Sequence, residues 1–426
     1  MSRALLDSLL AGTLRDPDGA GFLSVPVASV IIARDLARKA GDLIAPLKLG
    51  NRVSVVSDRQ TRAVMGEAVC TSLRAAHDVT EIDFDRSPHP DMDAVAFVRE
   101  RAQEAEGIVA VGSGSINDIA KHAAHLTGKP YIIFGTAPSM NGYTSVSAAI
   151  TERGLKKSLP STAPRGVFLD LAVLAKAPRR LIAAGIGDSV CRATAQVDWL
   201  MAHLLLGTKY REAPFLLLKD DEAQMIARIP QIVAGEEAAV ELLARTLVMS
   251  GFGMTICGGS YPASQGEHLI AHYIDMLGHD FPLAYHGEHV AVTTTTMAAL
   301  QEAILAQESL VIQPSTDTEQ EFVAHFGEEL GRSCWQAWLP KRIDKHRAEM
   351  LNRKLRADWP GMRTKLKTVG RSSAEIRRAL KMAGAPTLPS EIGIPDRFYR
   401  EAVAHACKIR DRFTSLDLAA ATGIAA

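Results

Sequence analysis

An α/β domain built on a parallel sheet, followed by an all-α domain, is the fold class this sequence predicts, and three observations predict it. The chain has 426 residues, more than one ordinary hydrophobic core accommodates, so two domains are expected. In the first part of the chain, short β-branched runs alternate with segments of helical period, the pattern of βαβ units whose helices cover both faces of a sheet. Further along, strand signals nearly vanish and long Ala- and Leu-rich periodic segments take over.

The elements follow in chain order. The opening stretch MSRALLDSLLAGTLRDPDGA carries a short apolar run broken by acidic residues and no small-residue cleavage signal, so no signal peptide is expected. RVSVVS reads as a strand followed by the helical QTRAVMGEAVCTSLRAA, and VTEIDF as a strand followed by PDMDAVAFVRERAQE. GIVAVG enters INDIAKHAAHLTG, and YIIFG ends in a Pro-containing loop. The composition changes at Ala177 and Pro178, and Pro suits the first turn of a helix, so the domains are expected at 1–177 and 178–426. Beyond it, EEAAVELLARTLVMSGFGMTI and HGEHVAVTTTTMAALQEAIL are helical. No apolar run is expected to approach the ~20 residues that span a bilayer. The Lys- and Arg-rich stretch 340–375 is diluted by Asp344, Glu349 and Asp358 and reads as a solvated helical face.

Composition narrows the partners. With 48 basic and 48 acidic residues there is no net field to attract nucleic acid or an anionic membrane, and no basic stripe interleaved with aromatics. Any anion site must be local. The five cysteines are odd in number, scattered and free of CxxC pairs, which argues against a disulfide framework and fits a reducing cytoplasm.

Two stretches carry chemistry. In GIVAVGSGSINDIAK, the turn Gly112-Ser113-Gly114-Ser115 lies between an apolar run and a helix, where glycines allow close backbone approach and a new helix offers unpaired N–H groups to a phosphate. The competing reading is a purely structural corner in which Ser115 caps the helix and Asp118 completes a capping box. The next strand runs into a loop holding Thr136, Ser139, Asn141 and Ser145, and ligands of open α/β sheets collect beyond such strand ends. Further on, His268, His272, His279, His286 and His289 cluster in SQGEHLIAHYIDMLGHDFPLAYHGEHVAV, and spacing alone does not choose among them. A nitrogen and oxygen site of this kind suits zinc, iron or nickel, and its carboxylate must come from elsewhere. AAGIGDSVCRATAQVDW offers Asp188 near the start of a helix, with Arg192 four residues on; a capping Asp paired with Arg192 is the alternative.

Taken together, VGSGSINDIAK, TAPSMNGYTS, LDLAVLAKAPRRLIAAGIGDSVCRATAQVDW, SQGEHLIAHYIDM, YHGEHVAV and KIRDRFTSLDLA resemble the sn-glycerol-1-phosphate dehydrogenases, within the superfamily of glycerol dehydrogenases, iron-containing alcohol dehydrogenases and dehydroquinate synthases. The resemblance implies a Rossmann-like N-terminal domain binding NAD or NADP and an all-α C-terminal domain holding one divalent metal, zinc foremost and nickel or iron next, with catalysis in the cleft between them. It implies Asp188, His268 and His286 as metal ligands and catalytic residues. It implies Gly112, Gly114, Ser115, Asp118, Thr136 and Ser139 as cofactor contacts. Asp58 would read the adenosine ribose and favour NAD, or else cap the following helix. Asn141, Ser145, Arg192 and His272 would meet the substrate, with His289 in support; Lys156, Lys157 and Arg165 are further phosphate candidates or exposed cations of a hairpin.

The chain departs from the family pattern at Ser113, where a glycine is common, and at Asn141, where Asp is common. The implied reaction interconverts dihydroxyacetone phosphate and sn-glycerol-1-phosphate or a closely related polyol phosphate. A dehydroquinate-synthase-like cyclase, a dehydrogenase of another polyol and a non-catalytic sensor are the alternatives. The implied partners are a small phosphorylated substrate and further copies of the chain, a dimer or larger, with no nucleic acid and no membrane.

Overall fold

The computed structural model describes residues 2–278 and 280–425. Two compact units make up the chain: Met1–Glu152, Lys156–Ser189 and Glu212–Ser260 form the first, and Arg153–Leu155, Val190–Arg211 and Tyr261–Ala426 the second. The boundary expected at 177/178 therefore falls inside the first unit, which also takes back residues 212–260 from the helical half. Composition marks a segment as helical but not the core it joins. The helix Glu237–Cys257 joins the first because it grips the loop after the fifth strand, where Thr144 Oγ1 donates to Val248 O at 2.7 Å and Thr255 Oγ1 to Thr144 O at 2.8 Å.

Six parallel strands form the sheet of the first unit, in the order β1-β8-β5-β4-β2-β3. They are β1 (Ser29–Ala33), β2 (Arg52–Asp58), β3 (Asp78–Phe84), β4 (Gly107–Gly112), β5 (Tyr131–Gly135) and β8 (Gly166–Asp170). The four strands read from the sequence are β2 to β5. All six residues of β4 are buried, as expected of a central parallel strand covered on both faces. Val53, Val55, Val109, Val111, Ile132, Phe134 and Phe168 pack with Ile44, Leu47, Met65, Val69 and Leu73 from flanking helices. A separate hairpin joins β6 (Ser147–Glu152) to β7 (Leu155–Pro160) through Arg153 and Gly154, both at positive φ (51° and 75°), as a tight two-residue hairpin turn requires.

The helix Glu237–Cys257 also corrects the expectation about membrane-length segments: its length and apolarity would suffice to cross a bilayer, but 72% of its apolar window is buried. It is a core helix. From Tyr261 onward the second unit contains helices and no strand among the described residues. Leu269, Ile270, Tyr273 and Ile274 of the helix Gly266–Leu277 share its core with Val292, Met297 and Leu300 of the helix His286–Ala306. The basic helix Lys345–Val369 turns Ala348, Leu351, Leu355, Trp359, Met362 and Leu366 inward and leaves most of its charges exposed, as its spacing predicts. It kinks at Asp358 (φ −151°, ψ 35°), two residues before Pro360. All five cysteines are free.

Candidate functional site

In the first unit, β4 delivers the chain to the glycine turn. Ser113 (φ −115°, ψ −149°) is the N-cap of the helix Gly114–Thr127, but its side chain makes no cap bond. Its hydroxyl instead shares a 2.5 Å hydrogen bond with Ser139 Oγ. Ser115 lies inside the first turn, and Asp118 accepts from Ala149 N at 2.9 Å and Asn117 Nδ2 at 2.8 Å, so the capping box considered from the sequence does not form. The helix start thus presents backbone donors without a side-chain cap, the arrangement that suits an anion. The two glycines differ. A Cβ on Gly112 would sit 2.5 Å from Ile116 Cβ, so packing forbids it, whereas one on Gly114 would meet only Met140 Cγ at 3.6 Å.

Asp58 ends β2 and caps the next helical segment, its Oδ1 accepting from Gln60 N (3.0 Å) and Thr61 N (2.8 Å) while Thr61 Oγ1 accepts from Asp58 N (3.0 Å). Asp58 therefore caps this segment, and both side-chain cap bonds go to its Oδ1. Two phosphate candidates are engaged elsewhere: Arg165 donates to the carbonyls of Leu47 and Lys48 at 2.9 and 2.8 Å, and Lys157 pairs with Glu152 at 2.8 Å.

The loop after β5 is braced throughout. Thr136 N donates to Gly112 O at 3.0 Å and Tyr143 OH to Ala137 O at 2.7 Å. The fully buried Lys121, not expected from the sequence, donates to Gly142 O (2.5 Å), Ser145 Oγ (3.1 Å) and Ser147 O (3.3 Å), and burial lowers its pKa to about 8. Thr136, Ser139, Asn141 and Ser145 are all buried.

Asp188 stands in the last turn of the helix Arg179–Val190, not near a helix start as the sequence suggested, because the chain breaks at Cys191 before the next helix Arg192–Leu206 begins. Nor does Asp188 cap that helix, whose N-cap is Cys191. A buried carboxylate at the negative end of a helix needs donors or a cation to hold it. One donor is Asn141 N, 2.7 Å from Asp188 Oδ2. The Asn141 side chain is buried, and its Nδ2 has no hydrogen-bond partner among the described residues. That is a donor set for a ligand oxygen.

In the second unit three imidazoles converge. Ring centroids lie 5.1 Å apart for His268 and His286, 5.9 Å for His268 and His272, and 6.1 Å for His272 and His286. His289 is turned to Asp275, with its Nδ1 2.9 Å from Asp275 Oδ1, and His279 lies outside the described residues. Arg192 is buried at the start of its helix.

His268 Nδ1 is 2.9 Å from Glu267 Oε1, which also accepts from Gln265 N at 2.7 Å, while Thr194 Oγ1 donates to Glu267 Oε2 at 3.2 Å. A carboxylate on Nδ1 makes that nitrogen the proton carrier and leaves Nε2 unprotonated, the form in which an imidazole can accept or ligate. Asp198 supports the same helix: its Oδ2 accepts from Gly266 N at 3.1 Å, and its Oδ1 accepts from Gln301 Nε2 at 2.9 Å and from Ser415 N at 3.0 Å. Burial, then the neighbouring Glu267, raises the Asp198 pKa to about 7. Glu267 and Asp198 lie inside GEHLI and ATAQVDW, where nothing in the residue pattern sets them apart from ordinary helix charges.

Comparison with known proteins defines the class. The family model described as iron-containing alcohol dehydrogenase matches residues 31–178. A probable glycerol dehydrogenase from Sinorhizobium meliloti superposes with a TM-score of 0.61 at 20% identity, covering 92% of each chain. The NADH-dependent butanol dehydrogenase A of Thermotoga maritima gives 0.62 at 16% identity, covering 97% of this chain and 96% of its own. The fold is the one these dehydrogenase structures share. Among curated relatives, the glycerol-1-phosphate dehydrogenase [NAD(P)+] of Halalkalibacterium halodurans is 30% identical over 378 residues, 85% of each chain. That of Pyrococcus abyssi is 36% identical over 273 residues, 64% of this chain and 78% of the relative. The chain belongs to the glycerol-1-phosphate dehydrogenase family.

Proposed function

We propose that this chain is a metal-dependent, NAD(P)-linked dehydrogenase that interconverts dihydroxyacetone phosphate and sn-glycerol-1-phosphate or a closely related polyol phosphate in the cytoplasm, as a homo-oligomer. The observation that carries the reading is a family match extending over 85% of both chains. The donor chemistry fits it: in this reading the buried carboxylate of Asp188 and the imidazoles of His268 and His286, the last half-buried, are the oxygen and nitrogen ligands of one divalent metal, zinc foremost. When bound, the metal supplies Lewis-acid polarisation of the substrate oxygen and the nicotinamide supplies the hydride.

The chain's own residues do the rest. Glu267 fixes the His268 ring so that Nε2 is the ligating atom. Asn141 N–H holds Asp188 by one oxygen, and the Asn141 side chain offers a neutral donor where a carboxylate would repel a phosphorylated substrate. Arg192 and His272 are the remaining substrate contacts in this reading. The uncapped start of the helix Gly114–Thr127, with Gly112, Gly114, Ser115, Thr136 and Ser139, receives the cofactor pyrophosphate, and Asp58 the adenosine ribose.

The deciding experiment follows loss of reduced-nicotinamide absorbance with purified, metal-reconstituted protein and dihydroxyacetone phosphate, dihydroxyacetone and other keto-phosphates. Oxidation that requires dihydroxyacetone phosphate and stops with chelator is expected. Activity confined to another substrate would overturn the substrate assignment, and indifference to chelator the metal assignment.

A further inference from the structure

Strands β2 and β3 are neighbours in register, with Ser57 opposite Asp83 and Asp58 opposite Phe84, so their carboxyl ends finish side by side. Four residues after Asp58, one helical turn on, comes the exposed Arg62. Two carboxylates of β3 hold its guanidinium: Glu81 Oε2 lies 2.8 Å from Arg62 Nη2, and Asp83 Oδ2 accepts from Nη1. Asp83 Oδ1 accepts from Ser57 Oγ at 2.5 Å, and Glu81 also pairs with Arg74. A π-helical turn begins at Arg62 and runs to Gly66, an irregularity that recurs at functional sites.

Charge in this patch is balanced. Glu81 and Asp83 are matched by Arg62 and Arg74, so neither sign is left in excess among these four side chains. An unphosphorylated ribose leaves the network intact. A 2′-phosphate brings a charge of about −1.5 to −2, and within reach of Asp58 it needs a cation that is now committed to Asp83 and Glu81. The guanidinium fork suits phosphate and carboxylate alike, so the exchange swaps one partner for another.

We propose that Arg62 decides between a 2′-hydroxyl and a 2′-phosphate on the adenosine ribose, with Asp83 as the carboxylate that competes for it. The inference rests on the dinucleotide reading of the first unit given above. Released by Asp83, Arg62 clamps the phosphate of NADP; retained, it leaves NAD the better ligand. Both cofactors are accepted, and the ratio between them is set by the hold on Arg62 of Asp83, with Glu81 as its second partner.

The test uses the full chain and calorimetric titration with adenosine 5′-monophosphate and adenosine 2′,5′-bisphosphate, which report the ribose site without catalysis. Arg62→Ala is expected to weaken the bisphosphate relative to the monophosphate on the order of tenfold, the scale of one charge-assisted hydrogen bond. Asp83→Asn is expected to shift the same ratio severalfold the other way, and the NADPH to NADH ratio of kcat/KM should follow it. Because each reading is a ratio, a general weakening of the site cancels. A ratio unmoved by both variants overturns the assignment of Arg62 while leaving the dinucleotide site standing. Failure of the parent chain to bind either nucleotide overturns the dinucleotide reading and this inference with it.

Discussion

Replacing Gly185 by Ala tests how the first unit presents Asn141 and Asp188. Gly185 lies on the helix Arg179–Val190, and a Cβ there would stand 1.7 Å from Pro138 O, 2.8 Å from Pro138 C and 3.3 Å from Ser139 Cα. These are backbone atoms, so no side chain can swing aside; the loop must retreat by roughly 1.5 Å to regain van der Waals separation. Alanine favours a helix over glycine by about 1 kcal/mol. Against that gain stand overpacking, about 1–3 kcal/mol, and the bond from Asn141 N to Asp188 Oδ2, a charged acceptor worth about 1.5–3 kcal/mol. The loss wins, by an amount that should lower the melting temperature on the order of 5 °C. Turnover should fall more steeply, on the order of a hundredfold, because a displacement of about 1 Å is costly where groups must be aligned. Thermal unfolding and kcat/KM on the same preparation read both effects. A variant that melts with the parent and turns over at the parental rate would refute the bracing of this loop by the helix.

Gly114→Ala should behave in the opposite way: the methyl has room beside Met140 Cγ at 3.6 Å, so the melting temperature should hold while affinity for the dinucleotide falls, and retained affinity in a titration would remove Gly114 from the phosphate turn. Glu267→Gln should weaken metal binding about 10–100-fold in a chelator competition, since the amide no longer fixes the His268 tautomer as a carboxylate does. Equal affinity in parent and variant would dismiss that role. The third expectation concerns pH. Burial, then His325 and Lys408, lowers the His405 pKa from 6.5 to about 4, and the nearby carboxylates of Glu401 and Asp317 only partly oppose this. Between those values the unfolded chain takes up the proton and the folded chain does not, so stability is full above 6.5 and declines as the pH falls toward about 4. His405→Gln should flatten the melting temperature across that window, and a profile as steep as the parent's would clear His405.

The strands β4 and β5 were legible because a buried parallel strand needs a continuous apolar run and each ends in glycine, and β2 and β3 because their Val-, Thr- and Ile-rich runs give way to segments of helical period. The short β1 and β8, five residues each, carry the same chemistry in SVIIA and GVFLD but sit against a proline-flanked entry and a helix start, which hide their limits. The domain division was less legible for a different reason. Helical period tells which face of Glu237–Cys257 is apolar but not whose core receives it, and only the close fit of Gly251 against Thr144 Oγ1 and Asn141 O, at 2.2 and 2.6 Å from a Cβ placed there, shows why this helix must stand beside the loop after β5.

The candidate site divides along the same line. Histidines announce themselves, because five of thirteen in one short stretch is a density that packing alone seldom calls for. Acidic and basic side chains do not, since the alphabet is silent on burial. Glu267 and Asp198 are wholly buried, as is Lys121, yet in sequence each looks like an ordinary charge on a helix. Each carries the cost of desolvation, and each offsets it by holding a backbone group or an imidazole in one place: Glu267 the His268 ring, Asp198 the start of the Gly266–Leu277 helix, Lys121 the carbonyls around Ser145. A buried charge with such a task cannot be exchanged for an apolar residue of equal volume without freeing what it holds. The residues most legible in the sequence are therefore those proposed to touch metal, cofactor or substrate, and the residues that fix their geometry become legible only once burial is known.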